Sequence, residues 1–176
     1  MKISATLGAL SLLALTACNS TTSPSFVDMA DTSESLLERY HPDDQTDCDD
    51  MPDSGTATYN GIAGLGQEPN DNQVYAQLQL IADFDDSSIG GKLYNFRNDE
   101  NERVAGKIDI GDYGSSISGS TFNASLSGTL SYAGDSTYYE GSIDGHFLGS
   151  GADAVQGGIY LETGDYEVYG GFIAEK

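Results

Sequence analysis

From Ser54 to the C-terminus, apolar and polar residues take turns with the two-residue period of a half-buried β-strand. The clearest run puts Val74, Ala76, Leu78, Leu80, Ala82 and Phe84 on one face and Tyr75, Gln77, Gln79, Ile81 and Asp83 on the other. Phe122, Ala124, Leu126, Gly128, Leu130 and Tyr132 alternate in the same way with Thr121, Asn123, Ser125, Ser127, Thr129 and Ser131. Further strands are predicted over Thr56–Ala63, Ile89–Phe96, Val104–Ile110, Tyr138–Phe147, Ala154–Glu162 and Tyr166–Glu175, about eight in total. Between them stand turn-forming groups such as Asp85-Asp86-Ser87, Asn98-Asp99-Glu100-Asn101, Ala133-Gly134-Asp135 and Thr163-Gly164-Asp165. No helical period occurs after Ser54.

Eight consecutive strands on short turns close most simply into an antiparallel up-and-down β-barrel, because closure removes both sheet edges. The expected class is therefore all-β. Gly106, Gly128, Gly141, Gly145, Gly157 and Gly170 fall on the apolar faces of their strands, where a missing side chain permits the sharp bending of a narrow barrel. A barrel of this size has room for side chains or one small ligand. The opposite faces carry Gln77, Gln79, Asp83, Lys107, Asp109, Glu140, Asp144 and Glu167, which a lipid-facing wall would not tolerate. The barrel is expected to be water-soluble.

The N-terminal pattern is different. Lys2 precedes an apolar run from Ile3 to Ala14, too short for a permanent membrane helix but suited to a signal peptide core. Leu15, Thr16 and Ala17 then lead to Cys18, which resembles the cleavage box of bacterial lipoproteins. That resemblance implies cleavage after residue 17 and acylation of Cys18, the lipid attachment site. Several acyl chains, at roughly 0.8 kcal/mol per buried methylene, would moor a soluble domain firmly. Asn19 is not the aspartate that favours inner-membrane retention, so an outer-membrane destination is expected. The chain thus divides into a signal peptide (1–17), an acidic lipidated linker (18–53) and the barrel (54–176). Within the flexible linker, Asp31 to Tyr40 could form a short helix if it docks on the domain.

Composition narrows the chemistry. Only seven basic residues stand against 28 acidic ones, for a formal charge of −21. Without a basic cluster, counterion release has nothing to work with, so nucleic-acid binding is not expected. With Cys18 acylated, Cys48 has no intrachain partner, and stability must come from packing. Asp43, Asp44, Asp47, Asp49, Asp50 and Asp53 surround Cys48, but Met51 and Pro52 interrupt any calcium-loop spacing, and the run reads as a solvated tether. No metal or other cofactor is expected. Ser142, Asp144 and His146 share a strand face, yet neighbours on that face lie about 6.5 Å apart along the backbone, beyond nucleophile–base reach. Catalysis is not expected. Haem or metal ligation by His146, with Tyr94, Tyr138, Tyr139, Tyr160 or Tyr169, is the alternative reading of these residues. Gly61 to Gly66 has neither the helix nor the lysine of a phosphate-binding loop.

Three C-terminal stretches, Gly141-Ser142-Ile143-Asp144-Gly145-His146-Phe147-Leu148-Gly149, Ala152 to Gly158, and Tyr169-Gly170-Gly171-Phe172-Ile173-Ala174-Glu175-Lys176, resemble the closing strands of the barrels in transferrin-binding protein B and related surface lipoproteins. Tyr59-Asn60-Gly61-Ile62-Ala63-Gly64 and Gly91-Lys92-Leu93-Tyr94-Asn95-Phe96 resemble earlier strands of the same domains. Leu148 and Ser150 depart from the Tyr and Pro usual there, and the chain reads as one barrel without handle domains. The resemblance implies a lipid-anchored, surface-displayed, non-catalytic barrel that binds a protein or small ligand, with a link to iron or haem acquisition or to host proteins. Transferrin itself is not implied. The contrasting expectation is a structural spacer of the envelope whose acidity is its working property.

Overall fold

The computed structural model describes residues 23–67 and 70–176. The expected signal peptide, residues 1–17, and Cys18 lie outside the described residues. Eight strands, β1 (Thr56–Gln67), β2 (Asn70–Asp83), β3 (Ser88–Asn98), β4 (Arg103–Ser118), β5 (Thr121–Tyr132), β6 (Asp135–Leu148), β7 (Ala154–Glu162) and β8 (Glu167–Glu175), pair in sequence order. All pairs are antiparallel, and β8 returns to β1 through Asn60↔Glu175 to Gly66↔Tyr169, which closes the barrel.

Strand β4 runs well past Ile110, where its hydrophobic pattern stops. Ile108 and Ile110 point inward on β4, but the next inward residue, Ile117, is an odd number of positions away, and a register shift between Ile110 and Ser115 absorbs the difference. Gly111 and Gly114 take positive φ within that bulge. On β3 a shift between Leu93 and Phe96, with Asn95 at φ 55°, likewise returns Phe96 to the interior. Bulges reverse which parity faces the core, so strict alternation loses the strand at that point.

The inward glycines let neighbouring strands come too close for any side chain. A Cβ at Gly157 would lie 1.9 Å from the Asp144 carbonyl oxygen, and one at Gly106, where φ is +111°, would lie 2.1 Å from that of Thr129. The half of the lumen toward Thr56, Leu148 and Glu175 is filled. Phe147 packs against Phe84, Phe122 and Tyr59 with ring centroids 5.4–6.0 Å apart, and Phe122 meets Phe172. The buried Tyr59 hydroxyl donates to the Ala152 carbonyl at 2.8 Å, fixing the β6–β7 loop where Ala152 takes φ 57°. The opposite half opens as a bowl of about 580 Å³ above a floor of Leu65, Phe96 and Leu161.

The acidic segment before the barrel is ordered against it from residue 26 to residue 51, where a flexible linker with one possible docked helix over 31–40 was expected. Helix α1 spans Phe26–Arg39, starting five residues before the expected helix over 31–40. Ser25 and Asp28 form a reciprocal capping box, which supplies the earlier start and holds the Asp28 carboxyl below the usual carboxylate range. Pro42 ends it by keeping His41 extended. Met29 and Leu36 are buried on the helix face turned to the barrel, whose outward Ile62 and Ile173 are buried in turn. Phe26 meets Tyr75 edge-on at 4.9 Å, while Arg39 pairs with Glu175 at the other end. The chain then crosses the filled end. Thr46 N–H donates to the Phe147 carbonyl and Gly149 N–H to that of Asp44, Gln45 reaches Ser120, and Met51 packs on the core.

Candidate functional site

Helix α1 covers the outer wall at β1, β2 and the Ile173–Glu175 end of β8, and the segment 42–51 seals one end. The outer wall from β4 to β7, with the Glu167–Tyr169 end of β8, is left facing solvent, and tyrosines concentrate there. Tyr113 is 80% exposed, and Tyr138 and Tyr169 are each about half exposed (53% and 52%). A shallow groove between Tyr113 and Tyr160 is floored by Ser125, Ser127 and Ser142, with Tyr138 on its side.

Register explains the grouping. Tyr160 on β7 stands opposite Ser142 on β6 and Tyr169 on β8, and the two tyrosine rings lie 5.3 Å apart. One step along, Glu140, Glu162 and Glu167 face one another across the same three strands. Directly opposed like charges destabilise a sheet. The tyrosines relieve this in part: the Tyr160 hydroxyl lies 2.9 Å from Glu162 and 3.2 Å from Glu167, and Tyr169 donates to Glu167 at 2.6 Å. The hydrogen bond to Glu162, then desolvation, then Glu167 raise the Tyr160 phenol above the ordinary tyrosine range. Phenol rings above a row of carboxylates suit a protein surface that presents Lys or Arg, through cation–π contact and charge-assisted hydrogen bonds.

The other residues singled out from sequence lie apart from one another. Ser142, Asp144 and His146 share the outer face of β6 without a hydrogen bond among them in the described residues. His146 stands opposite Gln156, and both His146 Nε2 and Gln156 Oε1 are shielded without a hydrogen-bond partner. Tyr138 is eight residues up the same strand, about 26 Å away at 3.3 Å per residue, and Tyr160 sits opposite Ser142, about 13 Å from His146. Tyr94 lies under Lys92, 5.1 Å from its ring centre. Tyr139 points inward and meets Tyr166 of the β7–β8 turn on one side of the bowl, hydroxyl to hydroxyl at 2.8 Å. These positions do not converge on one ligand. Cys48 is an exposed free thiol, and among the described residues no three His, Cys, Asp or Glu side chains are grouped to hold a metal.

Sequence reasoning named Tyr138, Tyr160 and Tyr169 but missed Tyr113, the Tyr139–Tyr166 pair and the glutamate row. The parity of Tyr139 with Gly141 and Ile143 marks it as inward, but the glutamates align only once the register of three strands is known.

The family of C-lobe and N-lobe β-barrels of transferrin-binding protein B matches residues 51–176. Among solved structures, a single-residue mutant of transferrin-binding protein B from Haemophilus parasuis Hp5 aligns with TM-score 0.53 and 20% identity, covering 74% of this chain and 28% of that one. Intact Ap-TbpB, with its N and C lobes, aligns with TM-score 0.51 and 19% identity over the same shares. The chain thus spans less than a third of the length of these structures, and at such identities the likeness concerns the fold. No curated protein sequence matches the chain.

Proposed function

This chain belongs to the family of C-lobe and N-lobe β-barrels of transferrin-binding protein B, and on that footing we propose that it is a lipid-anchored outer-membrane lipoprotein that holds a protein ligand on its barrel wall and performs no chemistry. The observation that carries this reading is the tyrosine and glutamate surface over β6, β7 and β8, the wall that helix α1 leaves open. Exposed tyrosines give contact area at low entropic cost, and the row of Glu140, Glu162 and Glu167 selects a basic surface. The lipid on Cys18 would hold the barrel at the membrane, and the net negative charge would keep neighbouring copies apart.

Transferrin is the partner that the relatives' names supply. It is one candidate among host proteins, since the chain corresponds to a single barrel of those longer proteins.

The test has two parts. Wild-type and Cys18→Ala proteins are compared by membrane fractionation and by protease treatment of intact cells; the proposal predicts that wild type is membrane-bound and shaved, and that the variant is released. The domain from Ser54 onward, with and without residues 23–53, is then used to capture host plasma proteins. A partner lost on Tyr138→Ala and Tyr169→Ala supports the binding reading. Firm anchoring with no partner lost to these substitutions supports a spacer.

A further inference from the structure

We propose that the bowl at the open end of the barrel is a second site, which takes a small organic cation: an amine or quaternary ammonium head on an apolar body. At about 580 Å³ the bowl falls in the size range of small-molecule sites, and barrel mouths are a common place for them. Val74, Val104, Leu130 and Val168 form an apolar part of its wall above the Phe96 floor, and Thr137, Tyr139 and Tyr166 add polar groups beside it. A ligand with both an apolar body and a polar head fits such a mixed lining.

The rim sets the sign of the head group. Asp99, Glu100 and Asp135 line the opening, and no Lys or Arg is among the described lining residues. Arg97 and Arg103, which face each other across β3 and β4, do not line it. On the β7–β8 turn side of the bowl, the paired hydroxyls of Tyr139 and Tyr166 offer oxygen lone pairs, and their rings offer negative faces at a centroid separation of 6.3 Å. A cation would thus find acceptors in two parts of the lining. A fatty carboxylate or a haem propionate would meet three carboxylates and no counter-charge.

The experiment uses the purified protein and two dansyl probes that share one fluorophore, dansylcadaverine with a free amine and dansylglycine with a carboxylate. The site predicts saturable, blue-shifted emission with the amine and at least tenfold weaker binding of the acid. Combined Asp99→Asn, Glu100→Gln and Asp135→Asn should weaken the amine threefold or more. Val168→Arg, which places a cation on the wall, should abolish amine binding while the far-ultraviolet circular dichroism stays that of a barrel. Thr137→Arg, at a half-exposed lining position, replaces it if the first variant does not fold. Equal binding of the two probes, no binding of the amine, or amine binding unaffected by a folded Arg variant would each overturn the proposal. The probes are too small to report on the outer wall, so failure here leaves the protein-binding reading standing.

Discussion

Adding one methyl group at Gly157 measures how closely the strands coil around the lumen. The new Cβ would sit 1.9 Å from the Asp144 carbonyl oxygen and 2.5 Å from the Gly145 Cα, both backbone atoms of β6. Ordinary contact begins near 3.4 Å, so the two strands must separate by about 1.5 Å at a central ladder position. Overpacking in a tight core costs about 1–3 kcal/mol, and here no flexible side chain can yield, which places Gly157→Ala at the upper end. In a chain of this length about 3 kcal/mol lowers the melting temperature by roughly 6–12 °C. Gly158→Ala is the matched control: its side chain would point outward, with no atom nearer than 3.8 Å, and should change stability by no more than about 0.5 kcal/mol. Urea unfolding followed by circular dichroism reads both. If Gly157→Ala lies within 0.5 kcal/mol of wild type, or if the two variants lose stability equally, the close approach of β6 and β7 is not what the glycine serves.

Leu36→Ala removes the helix residue that packs with Leu148, Ala154 and Ile173, and should cost about 2–3 kcal/mol, with earlier proteolytic cutting between residues 41 and 51. Tyr59→Phe deletes the buried hydrogen bond to Ala152 and should cost about 1–2 kcal/mol in the same unfolding assay. Burial raises the phenols of Tyr59 and Tyr139 above the ordinary value of 10.0, so the stability tied to their neutral forms is complete below pH 10 and is lost as pH climbs beyond it. A series of denaturant midpoints from pH 8 to 11.5 should show a decline only at its alkaline end, smaller in Tyr59→Phe.

Much of the barrel was legible because its core is regular. The alternation through Val74 to Ala82 and Phe122 to Leu130 fixed both the strands and the faces they bury. Legibility failed at the bulge of β4, where three extra residues invert parity and the expected strand stopped at Ile110, and in the segment from residue 26 to residue 51. There the polar composition suggested a tether, but four backbone and side-chain bonds of Asp44, Gln45 and Thr46 hold it across the barrel end. Such long-range partners leave no local pattern. The wall site was half legible: exposed tyrosines stood out singly, while their grouping with Glu140, Glu162 and Glu167 depends on register.

The claim that the uncovered wall is where a protein is held can be tested by placing a photo-crosslinking amino acid at Tyr138 on intact cells in host plasma, with Ile81 on the β2 wall as the comparison position. The account predicts one discrete adduct from position 138, reduced when Glu140 and Glu162 are changed to Gln, and none from position 81. Equal crosslinking from the two positions, or an adduct from position 81 alone, would contradict it.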